Sequence, residues 1–326
     1  MKRALITGIN GQDGSYLAEF LLNKGYEVWG TIKRNSVSEN QTSRIESVYD
    51  QIKDNLRYAD LTDLSSILSV LKECDPEEVY NLGAQSHVRI SFDQPIYTTM
   101  ATGVGVLNVI EAVRIHNPKI KVYQASSSEM FGNSIDQDGF QRETTPLIPV
   151  SPYGCSKVFA YNICRNYRNS YGMYISNGIL FNHESPRRGV NFVTNKVVKA
   201  AVEIKLGLKT QLALGNLNAT RDWGHAQDYV EAMWLILQQE SPDDFVCSTG
   251  ISHSVKELVE YTFGKLDLEW EKYVTQDEKF LRPEELNDLK GDSIKLRELT
   301  GWQPKYTFQT MLDEMISYWL DFYKAK

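Results

Sequence analysis

Cysteine is scarce in this chain: four in 326 residues, at Cys74, Cys155, Cys164 and Cys247, with no Cys-x-x-Cys spacing. That pattern argues against a zinc knuckle or a redox pair, and against a disulfide framework at this length. It fits a reducing compartment, so a cytoplasmic location is expected. Basic charge is not in excess. The formal charge is −7 and the pI about 5.4, which argues against nucleic-acid or membrane-surface partners while leaving room for a local basic pocket. No signal peptide or long apolar span is expected, and no repeat, low-complexity segment or linker stands out. Of the five histidines, His87 has no second histidine or cysteine at ligand spacing, so it reads as a structural loop residue and no metal is expected.

What is present is a rhythm. Arg3 to Thr7 is short, apolar and β-prone, as a buried parallel strand should be, and helical patterning follows from Ser15 to Lys24. Between them lies Gly8-Ile9-Asn10-Gly11-Gln12-Asp13-Gly14. Glycines there let the backbone turn tightly and approach a pyrophosphate at the start of the next helix. Further strands are expected at Glu27 to Ile32, Asn55 to Ala59, Glu78 to Leu82, Lys119 to Ala125 and Ile175 to Leu180. Helices are expected at Leu64 to Leu71, Thr102 to Ile115 and Tyr153 to Tyr171, with another at Val193 to Leu206. Alternation of this kind predicts an α/β fold: a Rossmann-type doubly wound parallel sheet with a smaller α/β lobe, which the family resemblance given below assigns to a nucleotide sugar. Residues 1–180 would form the cofactor-binding domain, completed by part of 221–247, and 181–326 mainly the substrate lobe.

Several side chains stand where such a fold places ligands. The second strand ends in Lys33-Arg34-Asn35-Ser36 rather than in an acid, which suits a ribose 2′-phosphate and so NADP; the alternative is a solvated basic turn. Asp60 and Leu61 follow the third strand. On the helix that opens with Tyr153, residues four apart share a face, so Tyr153 and Lys157 reach one ligand. An ammonium beside a phenol favours the phenolate, making the pair a base for a substrate hydroxyl; without context it is ordinary surface chemistry. Ser127 and Glu129 close the fifth strand. Glu129 is either a second base or a carboxylate favoured by a helix start. Three arginine-bearing turns, around Arg187-Arg188, Arg221 and Arg282, either converge on a diphosphate or form surface ion pairs.

Taken with the strings TGINGQDGSYLAEFLL, NLGAQSHV, SPYGCSK, FNHESPRRGVNFVT and RDWGHAQDYVEAMW, these residues resemble the extended short-chain dehydrogenases/reductases. Within them the resemblance is to the GDP-mannose 4,6-dehydratase family, over nearly the whole chain. It implies a tightly bound NADP held by Gly8, Asn10, Gly11, Gln12 and Asp13, by Lys33, Arg34, Asn35 and Ser36, by Asp60, Leu61, Leu82, Ala84, Ser86 and Tyr97, and by Lys157, His183 and Arg188. It implies substrate contacts from Ser86, Ser128, Glu129, Asn182, Lys196, Arg221, Arg282 and Glu285. The implied reaction oxidises the sugar at C4 with Tyr153 as base and Lys157 and Ser127 assisting. Glu129 then removes the C5 proton as the C6 hydroxyl leaves, and hydride returns to C6. A homodimer or homotetramer is implied as well, with the basic segment from Lys33 to Arg44 near a neighbour's cofactor.

Two departures bear on this. Serine stands at 127 where the family usually has threonine, losing the methyl that restricts the rotamer. The segment from Trp270 to Arg282 is short for the family, which leaves a GDP-heptose as an alternative substrate. A 4-dehydrogenase, reductase or epimerase would not need Glu129, and a silent nucleotide-sugar binding protein would be expected to lose Tyr153, Lys157 or Glu129.

Overall fold

Arg3–Thr7 is β1, and the four residues after Arg3 are buried, because helices cover both faces of the sheet they enter. A computed structural model of the chain describes residues 1–34, 41–280 and 284–325. β1 pairs in parallel with β2 (Glu27–Ile32) on one side and β4 (Glu78–Asn81) on the other. β2 carries β3 (Leu56–Tyr58), and β4 carries β5 (Lys121–Ser127), which pairs with β6 (Ile175–Leu180). All are parallel, as expected for strands joined through helices.

The remaining edge is less obvious. After β7 (Asn182–Glu184), β8 (Leu212–Leu214) and β9 (Thr220–His225), the chain returns as β10 (Asp244–Cys247) to pair with β6. The seven-stranded order is β10-β6-β5-β4-β1-β2-β3. The helix Ala226–Leu237 follows β9 and packs on the first helix, Gln12–Asn23, through Tyr229, Val230, Met233 and Leu237 against Tyr16, Leu17 and Leu21. Each large apolar side chain removed from water in this way contributes about 1.5–3 kcal/mol.

A smaller sheet is built around β9. Its last three residues pair with β7, its first three with β11 (Ser252–Ser254), and its first two with β13 (Asp288–Leu289). Arg221 to His225 is therefore a buried strand and not the turn expected from its charges. β8 pairs with β12 (Val274–Gln276). Behind these strands, the helices Val193–Lys205, Val255–Gly264 and Phe308–Lys324 enclose a second core with Trp223, Leu212 and Leu214.

One helical run, Pro95–His116, does have the length and apolar composition of a membrane span, contrary to the expectation of none. It is apolar because it is a core helix: Val106, Val109, Ile110 and Val113 are buried against Ile67, Val70, Leu71 and Ala160. Residues Thr99–Val104 within it wind as a π-helical segment beside the helix Pro152–Tyr171.

Candidate active site

The carboxyl ends of the parallel strands open on one cleft of about 950 Å³. Its floor begins at the glycine turn. Gly8 has φ +69°, which glycine adopts without strain, and a Cβ at Gly14 would strike the Gly8 carbonyl and Ile9. Gly11 caps the first helix without any side-chain acceptor, so its first-turn amides have no side chain closing them off from the cleft. Asp13 sits in that turn and is bound by His183 across 2.9 Å. Burial alone would raise Asp13, but the charge and hydrogen bond of His183, with Gln12 and Arg188, outweigh it and hold the carboxyl at about 2. Gln12 also donates to the His183 carbonyl at 3.0 Å and accepts from Ser185, which stitches the turn to the chain after β6.

The residues expected to be catalytic lie across the cleft. Ser151 caps the helix Pro152–Tyr171 by accepting from Gly154 N at 3.0 Å, and Pro152 sits in its first turn, where a missing N–H costs nothing. Tyr153 and Lys157, one turn apart, are 8 % and 4 % exposed and both line the cleft. Lys157 Nζ donates to the Ala125 carbonyl at 2.7 Å and lies 5.7 Å from the centre of the Tyr153 ring. Ser127 ends β5, and its hydroxyl accepts from Glu129 N at 3.3 Å, which orients the short turn Ser128–Met130. Glu129 on that turn is buried and lines the same cleft. Gly154 explains how close the two pieces come: a Cβ there would lie 2.8 Å from the Glu129 carbonyl oxygen and 2.9 Å from Pro149 Cβ.

The electrostatics differ from the expectation that the lysine lowers the tyrosine. Burial pushes Tyr153 up to about 12, against a hydrogen bond to Ser127 that lowers it. Burial likewise brings Lys157 down to about 8, with Asp13 opposing. Both groups are desolvated together, and the ammonium is turned toward Ala125 rather than onto the phenol.

The cofactor and substrate residues named from the sequence gather well. Asn10, Asp60, Leu61, Leu82, Ala84, Ser86, Tyr97, Ser128 and Arg188 line the cleft with those above, as do Asn182, Lys196, Arg221 and Glu285. Lys33 lines it too, but is held by Asp60 at 3.0 Å and Tyr97 at 2.8 Å, so a carboxylate does stand beside the basic strand end. Arg34 is the exception among the described residues: it lies over the Tyr58 ring at 5.5 Å, away from the cleft wall. Side-chain direction reverses at each successive position of an extended segment, so neighbours Lys33 and Arg34 point apart. Asn35, Ser36 and Arg282 lie outside the described residues. Arg221 is buried and donates to the Leu286 carbonyl at 3.1 Å, while Lys196 sits 3.7 Å from the Phe280 ring centre.

Other residues join them on the cleft wall. His87 lines the cleft instead of serving only as a loop residue, with its ring 5.1 Å from Phe192. Phe192 in turn carries the Arg188 guanidinium at 3.6 Å. Arg44 also reaches the cleft wall, donating to the Arg187 carbonyl at 2.8 Å. Arg44 belongs to the basic segment from Lys33 that the resemblance sets near a neighbour's cofactor; a single aromatic gave no signal for Phe192.

The family model described as GDP-mannose 4,6 dehydratase matches residues 5–315. GDP-mannose 4,6 dehydratase 1 of Arabidopsis thaliana is 51% identical over 325 residues, covering 97% of this chain and 89% of that protein. The Homo sapiens GDP-mannose 4,6 dehydratase is 48% identical over 339 residues, covering 96% and 90% respectively. Among solved structures, the dTDP-glucose 4,6-dehydratase of Streptomyces venezuelae with NAD and TYD bound matches with a TM-score of 0.86. That likeness, at 22% identity over 98% of this chain and 97% of the other, bears on the fold alone. By family model and by full-length identity, this chain belongs to the GDP-mannose 4,6-dehydratase family.

Proposed function

We propose that this protein converts GDP-D-mannose to GDP-4-keto-6-deoxy-D-mannose, a hydro-lyase reaction with no net redox change, using a retained NADP. The observation that carries the reading is the placement of Glu129 with Ser127, Tyr153 and Lys157 around one buried cleft, in a chain of this family.

The residues fit NADP. The uncapped start of the first helix and the close-packed glycine turn suit a pyrophosphate, and Lys33 and Arg44 bring positive charge to the same wall. NADP, when bound, supplies the oxidising equivalent at C4 and the reducing equivalent at C6. The protein moves the protons. Tyr153, as phenolate, takes the C4 hydroxyl proton while the Ser127 hydroxyl orients it. Lys157 stands beside the phenol, and its ammonium offsets the phenolate charge. Once C4 is a ketone, the C5 proton is acidic; Glu129 takes it as the C5–H bond breaks. The protonated carboxyl then gives its proton to the C6 oxygen, which leaves as water, and as C6 is reduced C5 takes up the proton held by Tyr153, which restores the phenolate. Positioned acid–base catalysis of this kind is worth about 10²–10⁴-fold per group.

Residues 1–180 with 226–247 form the cofactor-binding part in this reading, and the rest of the chain binds the GDP-sugar. A homodimer or homotetramer in the cytoplasm belongs to the same proposal, to be checked by light scattering and by fractionation of the source cells.

The deciding experiment is mass spectrometry of GDP-mannose incubated with the purified protein and no added reductant. Loss of one water, without net NADPH, is the expected result. Loss of two hydrogens with stoichiometric NADPH would replace the dehydratase by a dehydrogenase. Unchanged GDP-mannose beside dehydrated GDP-heptose would move the substrate.

A further inference from the structure

The buried tips of three neighbouring strands carry polar side chains that the reaction does not use directly. Thr7 on β1 stands opposite Asn81 on β4, and Asn81 opposite Gln124 on β5. Each of the three is 1 % exposed. Burying such groups is costly unless they are hydrogen-bonded, and here the bonds form one directed chain. Thr7 Oγ1 accepts from the backbone N–H groups of Leu82 and Gly83 at 3.1 Å each, and donates to Asn81 Oδ1 at 2.6 Å. Asn81 Nδ2 donates to Gln124 Oε1 at 2.7 Å. Gln124 Nε2 then donates to the Ala125 carbonyl at 2.8 Å. That same oxygen accepts Lys157 Nζ at 2.7 Å.

We propose that Gln124 is a positioning residue for Lys157, acting through the Ala125 carbonyl that the two side chains share. A carbonyl oxygen has two lone pairs, and both are occupied. Gln124 therefore fixes the direction in which the oxygen receives the ammonium. Two donors on one acceptor also weaken each other, so the amide limits how firmly Lys157 is drawn onto the carbonyl and away from Tyr153. The orientation of the Gln124 amide is itself imposed by Asn81, whose own amide is imposed by Thr7 at the head of the glycine turn. The lysine is thereby registered to the strand ends that bear the cofactor turn. Other charged or titratable groups about Lys157 are Asp13 on the first helix, Glu129 after β5, and Tyr153 and Cys164 on its own helix. None of these is altered by changing Gln124.

The effect on turnover rests on the dehydratase reading; the effect on Lys157 does not. The test follows the Lys157 ammonium by NMR of the purified, NADP-bound protein carrying isotope-labelled lysine, as pH is raised. Gln124→Met keeps the length and removes the donor. Without the competing amide, the ammonium is held more tightly, so its acid constant falls by about threefold, half a pH unit on the logarithmic scale. With GDP-mannose, kcat falls by about tenfold while KM is unchanged, since the substrate does not touch Gln124. An unmoved Lys157 titration in a folded variant would overturn the proposal. If the variant does not fold, the wild-type protein still decides: the Gln124 side-chain amide protons should shift with the Lys157 midpoint, and amide signals indifferent to that titration would refute the shared carbonyl. A wild-type protein that leaves GDP-mannose intact would refute the dehydratase reading and leave the titration result standing.

Discussion

Asp13 Oδ2 and His183 Nε2 meet at 2.9 Å although 170 positions separate them in the chain. His183 Nδ1 bonds the Phe181 carbonyl at 2.7 Å, and its ring stacks on Tyr229 at 4.5 Å, so the imidazole is fixed on all sides. Burial would lower His183, but the charge and hydrogen bond of Asp13 win and raise it above 6.5. The pair clamps the first turn of the helix Gln12–Asn23 to β7, at the join between the two sheets.

That clamp predicts a pH window. Asp13, held down to about 2, contributes stability that is present above its ordinary 3.8 and lost as pH falls toward 2. His183, raised, contributes stability that is full below 6.5 and lost as pH climbs through its raised value. The clamp is strongest between those limits. Asp13→Asn should cost about 1–3 kcal/mol at pH 5 and less at pH 9. Urea unfolding at both values checks it; an equal loss at each would show that the charge pair is not the source.

Glu129→Gln keeps the shape and removes the base. Exchange of the sugar C5 proton with deuterated solvent should slow by about 10²–10⁴-fold, read by mass spectrometry of recovered nucleotide sugar. Undiminished exchange would assign C5 deprotonation elsewhere.

Ser127→Ala removes the hydrogen bond that lowers Tyr153 and the acceptor for Glu129 N. With burial then opposed only by the charge of Arg188, the phenol titrates at still higher pH, so the acid limb of the pH–rate profile should move to higher pH. At neutral pH kcat should drop about tenfold or more. Ser127→Thr should keep the limb where it is, because the hydroxyl remains.

Gly154→Ala tests contact rather than chemistry. The new methyl would press on the Glu129 carbonyl and Pro149 from 2.8 and 2.9 Å, wedging the catalytic helix from the Glu129 turn. Overpacking of this kind costs about 1–3 kcal/mol, and displacement of the acid from the tyrosine should lower kcat by about 10²-fold. Thermal unfolding and steady-state kinetics together check it.

Much of this site is legible in the amino-acid sequence. The strands β1, β2 and β6 have the expected ends, and each is buried along all or nearly all of its length, as strands covered on both faces are. Tyr153, Lys157 and Glu129 declare themselves through the strings around them. What stays hidden has physical reasons. β7 and β11 are three residues each, too short for any alternation to show, and β9 hides its strand character under an arginine, an aspartate and a histidine. Two of those polar groups find partners far along the chain: Arg221 donates to the Leu286 carbonyl, and Asp222 accepts from the backbone of Thr249 and Gly250 at 2.9 and 2.8 Å. Gln124 gives no signal in the sequence of β5 because its meaning lies in register with Asn81 and Thr7.

The return of β10 to the edge of the large sheet has a further consequence. The chain leaves the sheet after β6, builds β7 to β9, comes back through Ala226–Leu237 and β10, and leaves again for β11. A fragment ending at residue 180 would therefore expose the flank of β6 as an unpaired edge, and would strip the cover from Tyr16, Leu17 and Leu21. Such a fragment should be sticky rather than a smaller working part. The cleft lies between two regions interlaced by repeated crossings of the backbone, since Leu296 and Trp302 return to the first core before Phe308–Lys324 joins the second, so closure over a ligand falls to side chains and local turns, and not to a swing of one half on the other.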